Sequence, residues 1–99
     1  VIVVSGTLRL PPERLEMAKP HMQAMIEGSS AEAGCLFYTY AQDLFDPGLF
    51  HVIERWRDRE ALKRHFQTPH MTTWRAAFAE MGVTDRDLVS FEAGEPTPL

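Results

Sequence analysis

Cysteine is almost missing from this chain. Cys35 is the only one among 99 residues, which excludes an intramolecular disulfide and any thiolate cluster able to hold a metal. It lies in the apolar run "GCLFYTY" and reads as a buried, inert thiol. Positive charge is not in excess either. Ten Lys and Arg stand against fourteen Asp and Glu, a formal net charge of −4. A nucleic-acid partner needs a basic stripe to neutralise phosphates. Here the basic residues are interleaved with acids in "ERWRDREALKRH", the pattern of a solvated face, so no nucleic acid is expected. No apolar run approaches the ~20 residues of a membrane span. The opening "VIVVSGTLRL" also lacks the basic flank and long apolar core of a secretory signal. No membrane partner is expected, and the cytoplasm is the expected compartment. Internal repeats, linkers and low-complexity tracts are absent too.

What is present is the composition of an ordinary globular domain, 44% hydrophobic and 24% charged. The length predicts a single domain, residues 1–99, with 92–99 as a tail. Domains of this size remove only about 60–70% of their unfolded surface from water. Surplus apolar surface is therefore expected to seek a partner subunit.

The β-branched opening segment, stopped by Pro11 and Pro12, reads as a strand. Leu15, Ala18, Met22, Met25 and Ile26 then recur at helical spacing, with Glu13 and Glu16 near the positive end of the helix. Pro20 lacks the N–H that would bond the Glu16 carbonyl, so a kink or a delayed start is expected. "CLFYTYAQD" and "LFHVIERWR" are two further strands joined through "FDPG", a hairpin turn. Asp58 is placed to cap a short helix, "REALKRHF", whose apolar side is Ala61, Leu62 and Phe66. Thr68 and Pro69 open another helix, with Met71, Trp74, Phe78 and Met81 inward and Gly82 at its end. "DLVSFEA" is the last strand. The order β-α-β-β-α-β predicts an α+β, ferredoxin-like fold with an antiparallel sheet covered on one face by helices.

The strands go beyond that fold in one respect. A sheet with a solvated face alternates apolar and polar residues. Here Leu36, Tyr38 and Tyr40 oppose Cys35, Phe37 and Thr39, while Phe50, Val52 and Trp56 oppose Leu49 and Ile53. Both faces are substantially apolar, and a second copy of the sheet is the economical cover. A homodimer burying ~800 Å² per partner is expected.

Taken in order, the motifs resemble the antibiotic biosynthesis monooxygenase family. They are Gly34-Cys35, Tyr38, Asp46-Pro47, Glu54-x-Trp56, Ala61-Leu62-x-x-His65 and Thr68-Pro69-His70. The resemblance implies a dimeric α+β barrel of two ferredoxin-like subunits, with a pocket in each between sheet and helices. It also implies a cofactor-free oxidation of a quinol-like or polyphenolic small molecule by O2, the substrate serving as its own electron source. Such chemistry needs an apolar cavity, a base for the phenol, and exclusion of bulk water.

Candidates for these parts are present. His65 shares a helical side with Ala61, Leu62 and Phe66 and is expected to point inward. His70 lies one turn before Trp74, at a helix N-terminus that favours the neutral imidazole. The Thr68-Pro69 corner can aim both imidazoles at one cavity, as catalytic groups or as packed histidines bonded to backbone. Glu54 and Trp56 share a strand face. Glu54 is the third catalytic candidate, with an ion pair to a nearby arginine as the alternative. Tyr38, Trp56, Trp74 and Ser5 are the candidates for substrate contact. No metal is expected, because a five-residue gap across a proline break is not the i, i+4 spacing of a helical His pair. No organic cofactor is expected either.

Other readings share this frame. One is a non-catalytic dimeric binding module, and another is an isomerase of a small metabolite. Haem degradation fits less well. The resemblance implies an Asn on the first strand and a Trp on a later helix for it, where this chain has Ser5 and His65.

Overall fold

The computed structural model describes all 99 residues. Ile2–Arg9 form β1, and a 3-10 turn at Pro12–Arg14 leads into α1, Leu15–Ser30. Strands β2 (Cys35–Gln42) and β3 (Leu49–Trp56) make the hairpin, followed by helices α2 (Arg59–His65), α3 (Pro69–Ala76) and α4 (Phe78–Met81), then β4 (Thr84–Glu92). All pairings are antiparallel, in the order β2-β3-β1-β4. This is the ferredoxin-like α+β arrangement expected from the sequence.

Local chemistry accounts for the boundaries. The Asp43 carboxylate accepts from the amides of Phe45 and Asp46, both at 3.0 Å, and closes the hairpin. Asp58 Oδ1 accepts from the Ala61 amide at 2.8 Å and starts α2. Thr68 Oγ1 receives the Met71 amide and donates to the His65 carbonyl at 2.8 Å. One hydroxyl thus ties the end of α2 to the start of α3.

Four expectations need correction. Pro20 does not delay the start of α1, which runs from Leu15 to Ser30 with the proline inside it. The 3-10 turn takes Glu13, and Glu16 falls in the first turn of α1. The single helix expected from Thr68 to Gly82 divides at Ala77 into α3 and α4, although Met71, Trp74 and Met81 stay buried across the division. In β2 the pairing steps from Cys35–Trp56 to Phe37–Arg55, a bulge that leaves Leu36 without a partner. Leu36 therefore leaves the Tyr38–Tyr40 face and is 55% exposed, while Cys35 packs against the core.

Register fixes what each face of the sheet presents. Tyr38, Glu54, Val4 and Ser90 form one row under the helices, and Tyr40, Val52, Gly6 and Leu88 form the next. A Cβ at Gly6 would come within 2.0 Å of the Asp87 carbonyl oxygen, so β1 and β4 meet there with no side chain between them. The core lies between these rows and the helices and includes Leu8, Ala18, Met25, Trp56 and Met81. No helix is long and apolar enough to cross a membrane.

Candidate active site

Between the sheet and helices α2 and α3 lies a cavity of about 420 Å³. Its walls include Leu8, Val52, Leu62, Phe66, Met71 and Trp74, and its polar groups are Tyr38, Tyr40, Glu54, His65, Ser90, Arg59 and Arg86. Tyr38 and Tyr40, two residues apart on one strand face, place their hydroxyls 2.8 Å apart. Burial is the main reason that both phenols titrate above their ordinary range. They stay protonated and present hydrogen-bond donors.

Glu54 lies in the same row as Tyr38 and is buried. Loss of hydration pushes its carboxyl up to about 7, against the opposing hydrogen bond from Trp56 Nε1 at 2.9 Å. A buried acid poised near neutrality can hold or release a proton at working pH. The arginine ion pair considered for Glu54 does not form; its partner is Trp56. Trp56 itself is fully buried behind Glu54 and does not line the cavity, so the contact role expected for it becomes one of supporting Glu54.

His65 is 1% exposed and packs its ring 4.6 Å from Trp56 and 5.5 Å from Tyr38. Burial lowers its pKa, partly offset by the Glu32 carboxylate. Glu32 Oε2 lies 2.7 Å from His65 Nδ1 and 2.7 Å from His70 Nε2. A carboxylate oxygen accepts, so both of those ring nitrogens carry hydrogen. In the neutral ring with hydrogen on Nδ1, His65 keeps an unprotonated Nε2, for which the protein supplies no partner.

His70 does not line the cavity. The shared target of the two histidines is Glu32, in the turn after α1, and not the pocket. Sequence reasoning missed Glu32 entirely. The three donor atoms lie within 4.8 Å of one another, and the histidine pair discounted on its spacing does converge. Ligands on a tetrahedral metal at about 2.1 Å from the ion sit roughly 3.4 Å apart. The 2.7 Å separations are those of charge-assisted hydrogen bonds.

Two further expectations resolve differently. Trp74 lines the cavity and packs 5.3 Å from the Tyr40 ring. Ser5 does not reach the cavity, because it lies between Ile53 and Val89 on the opposite face of the sheet; Val4 and Ser90 take the inward positions. Cys35 is partly buried, and burial raises its thiol, as suits an inert role.

The sequence profile of the family described as antibiotic biosynthesis monooxygenase matches residues 1–77. The chain belongs to that family. The same fold recurs in the crystal structure of a Deinococcus radiodurans protein described as a "putative antibiotic biosynthesis monooxygenase", at a TM-score of 0.90 and 28% identity, covering 100% of this chain and 98% of that one. The Pseudomonas aeruginosa protein PA3566 is 30% identical, with a TM-score of 0.83 over 95% of this chain and 94% of its own. By sequence, the chain is 27% identical over 95 residues to the Bacillus subtilis protein named "Putative monooxygenase YcnE", covering 96% of this chain and all of that one. It is 39% identical over 69 residues to an uncharacterised Synechocystis protein, covering 70% of this chain. It spans about half, 47%, of that relative's length.

Proposed function

We propose that the protein is a monooxygenase that oxidises a quinol-like or polyphenolic small molecule with O2, without an organic cofactor or metal. The observation that carries this reading is His65, a buried cavity imidazole with one nitrogen held by Glu32 and the other free. Nε2 takes the phenolic proton, and burial favours the neutral form that can accept it. The resulting anion gives one electron to O2, making a ring radical and superoxide. The two combine at a ring carbon, and the peroxide takes the proton back from the imidazolium. The carbon's own hydrogen then leaves with the distal hydroxyl as water, and a carbonyl remains. Tyr38 and Tyr40 supply hydrogen bonds to substrate oxygens, and the apolar walls keep bulk water from the radical pair.

The proposal extends to a homodimer. On the face of the sheet away from the cavity, Phe37, Arg55, Val3 and Phe91 form one row, and Thr39, Ile53, Ser5 and Val89 the next. A second copy is the partner that covers this apolar surface.

O2 uptake with reduced naphthoquinol, measured against the enzyme-free autoxidation rate, tests the activity. Uptake above that background, lost in His65→Ala, is the expected result. No excess uptake across a panel of quinols and polyphenols rejects the reading. Sedimentation at micromolar concentration is expected to give the mass of two chains.

A further inference from the structure

We infer that Glu32 is a positioning residue for His65, and that His70, seated on Gly28 of α1, holds Glu32 in place. This inference rests on the proposed role of His65. Glu32 and His70 lie outside the cavity, so neither touches a bound molecule. Their contribution reaches the cavity through one ring.

The argument begins with a choice that a neutral imidazole must make. Its single proton sits on Nδ1 or on Nε2, and only the unprotonated nitrogen can act as a base. The Glu32 carboxylate, 2.7 Å from His65 Nδ1, selects the tautomer with hydrogen on Nδ1 and leaves the Nε2 lone pair free. When Nε2 takes a proton, the same carboxylate faces the new imidazolium across one short hydrogen bond.

Glu32 stands in a turn, where its side chain has no helix or strand to fix it. His70 supplies the fixing, with Nε2 2.7 Å from the same Oε2. The seat of His70 is specific. A Cβ on Gly28 would lie 2.9 Å from both Cγ and Nδ1 of the His70 ring. Glycine inside a helix is unfavourable relative to alanine, and here it makes room for an imidazole against the helix backbone. The groups facing the pair are Tyr38 and Cys35 of β2, Trp56 with Glu54 of β3, Phe66 after α2, and Arg75 of α3. None of these offers Nδ1 a second acceptor, and the Glu32 contact alone sets the tautomer.

The experiment has two independent arms on the intact protein. Nitrogen-resolved NMR of the histidine rings reads the tautomers directly, with no substrate. Wild type is expected to show His65 with hydrogen on Nδ1 and His70 with hydrogen on Nε2. Glu32→Gln is expected to lower the pH at which His65 takes up its second proton. Gly28→Ala alters no ionisable group and is expected to displace the His70 ring and loosen the His65 tautomer. The second arm is O2 uptake with naphthoquinol. For Glu32→Gln we expect kcat to fall about a hundredfold with KM nearly unchanged, and the acid limb of the pH profile to move to lower pH. A purely structural role would change thermal stability without moving that limb.

Hydrogen on His65 Nε2 in the wild type overturns the inference. So does a Glu32→Gln protein with unaltered His65 titration, or one that keeps the wild-type rate and profile. If the tautomers are as expected and respond to both variants while no quinol is oxidised, the positioning stands and the proposed reaction falls.

Discussion

Under the helices, Tyr38, Glu54 and His65 are buried, each with a hydrogen-bond partner. On the opposite face of the same strands, Phe37, Ile53, Val89 and Phe91 are between 41% and 53% exposed, with Ser5 and Arg55 among them. The first face has polar groups where burial is expensive, and the second has apolar groups where exposure is. Polar groups buried with partners reward a specific internal geometry. Apolar groups left in water reward any cover of the right shape. One sheet therefore presents two surfaces by parity: residues of one parity along a strand line the cavity, and their neighbours form the half-exposed apolar face.

The comparison breaks most severely at His65. His65→Gln is expected to lower kcat by about 10²–10⁴-fold, the span of general-base catalysis, and naphthoquinol-dependent O2 uptake measures it. Association should survive that change, because His65 is buried at the cavity, on the helix-covered side of the sheet.

The converse variant is Ile53→Asp. It puts a carboxylate among Thr39, Ser5 and Val89, and the symmetry of a dimer would place it there twice. Sedimentation is expected to shift from two chains to one, while circular dichroism retains the monomer fold. A variant that stays dimeric would put the interface elsewhere.

Glu54 sharpens the energetic side. Its folded pKa, about 7, lies above the unfolded value of 4.5, so its contribution to stability is fully present below pH 4.5 and lost as pH rises through about 7. For this buried group the loss amounts to about 3 kcal/mol. Glu54→Gln keeps an acceptor for Trp56 and removes the charge. Urea unfolding is expected to show a gain of about 2–3 kcal/mol at pH 8 and almost none at pH 4.5. His65 works in the opposite direction, since its lowered pKa costs stability as pH falls below the ordinary histidine range. The smallest effect is expected at a helix end. Asp58→Ala removes the cap of α2 and should cost about 1 kcal/mol, read as a lower thermal midpoint.

Much of this was legible in the chain because it is written in local chemistry. The Phe45–Gly48 turn, the caps at Asp58 and Thr68, the stop at Gly82 and the two-faced strands all depend on neighbours a few residues away. Ser5 could have been placed correctly from parity alone: Ile2, Val4, Leu8 and Leu10 are buried at even positions, and Ser5 is odd. Leu36 could not, because a bulge resets parity at one residue and nothing in "GCLFYTY" announces it. Glu32 lay further out of reach. It stands in a turn without periodicity, and its partners are 33 and 38 residues away. A lone carboxylate two residues before Gly34 was the only visible sign.

The close approach at Gly6 has a consequence for how the size of the cavity can be changed. β4 contributes Arg86, Leu88 and Ser90 to the cavity, and it lies against β1 at a position that admits only hydrogen. Any larger residue there would push a whole wall of the chamber outward, instead of trimming one contact. Position 6 is thus a coarse adjustment, while Leu62, Met71 and Leu88 are fine ones. A library seeking modest shifts in ligand size would vary those three and keep the glycine; one seeking a different class of guest would begin with it.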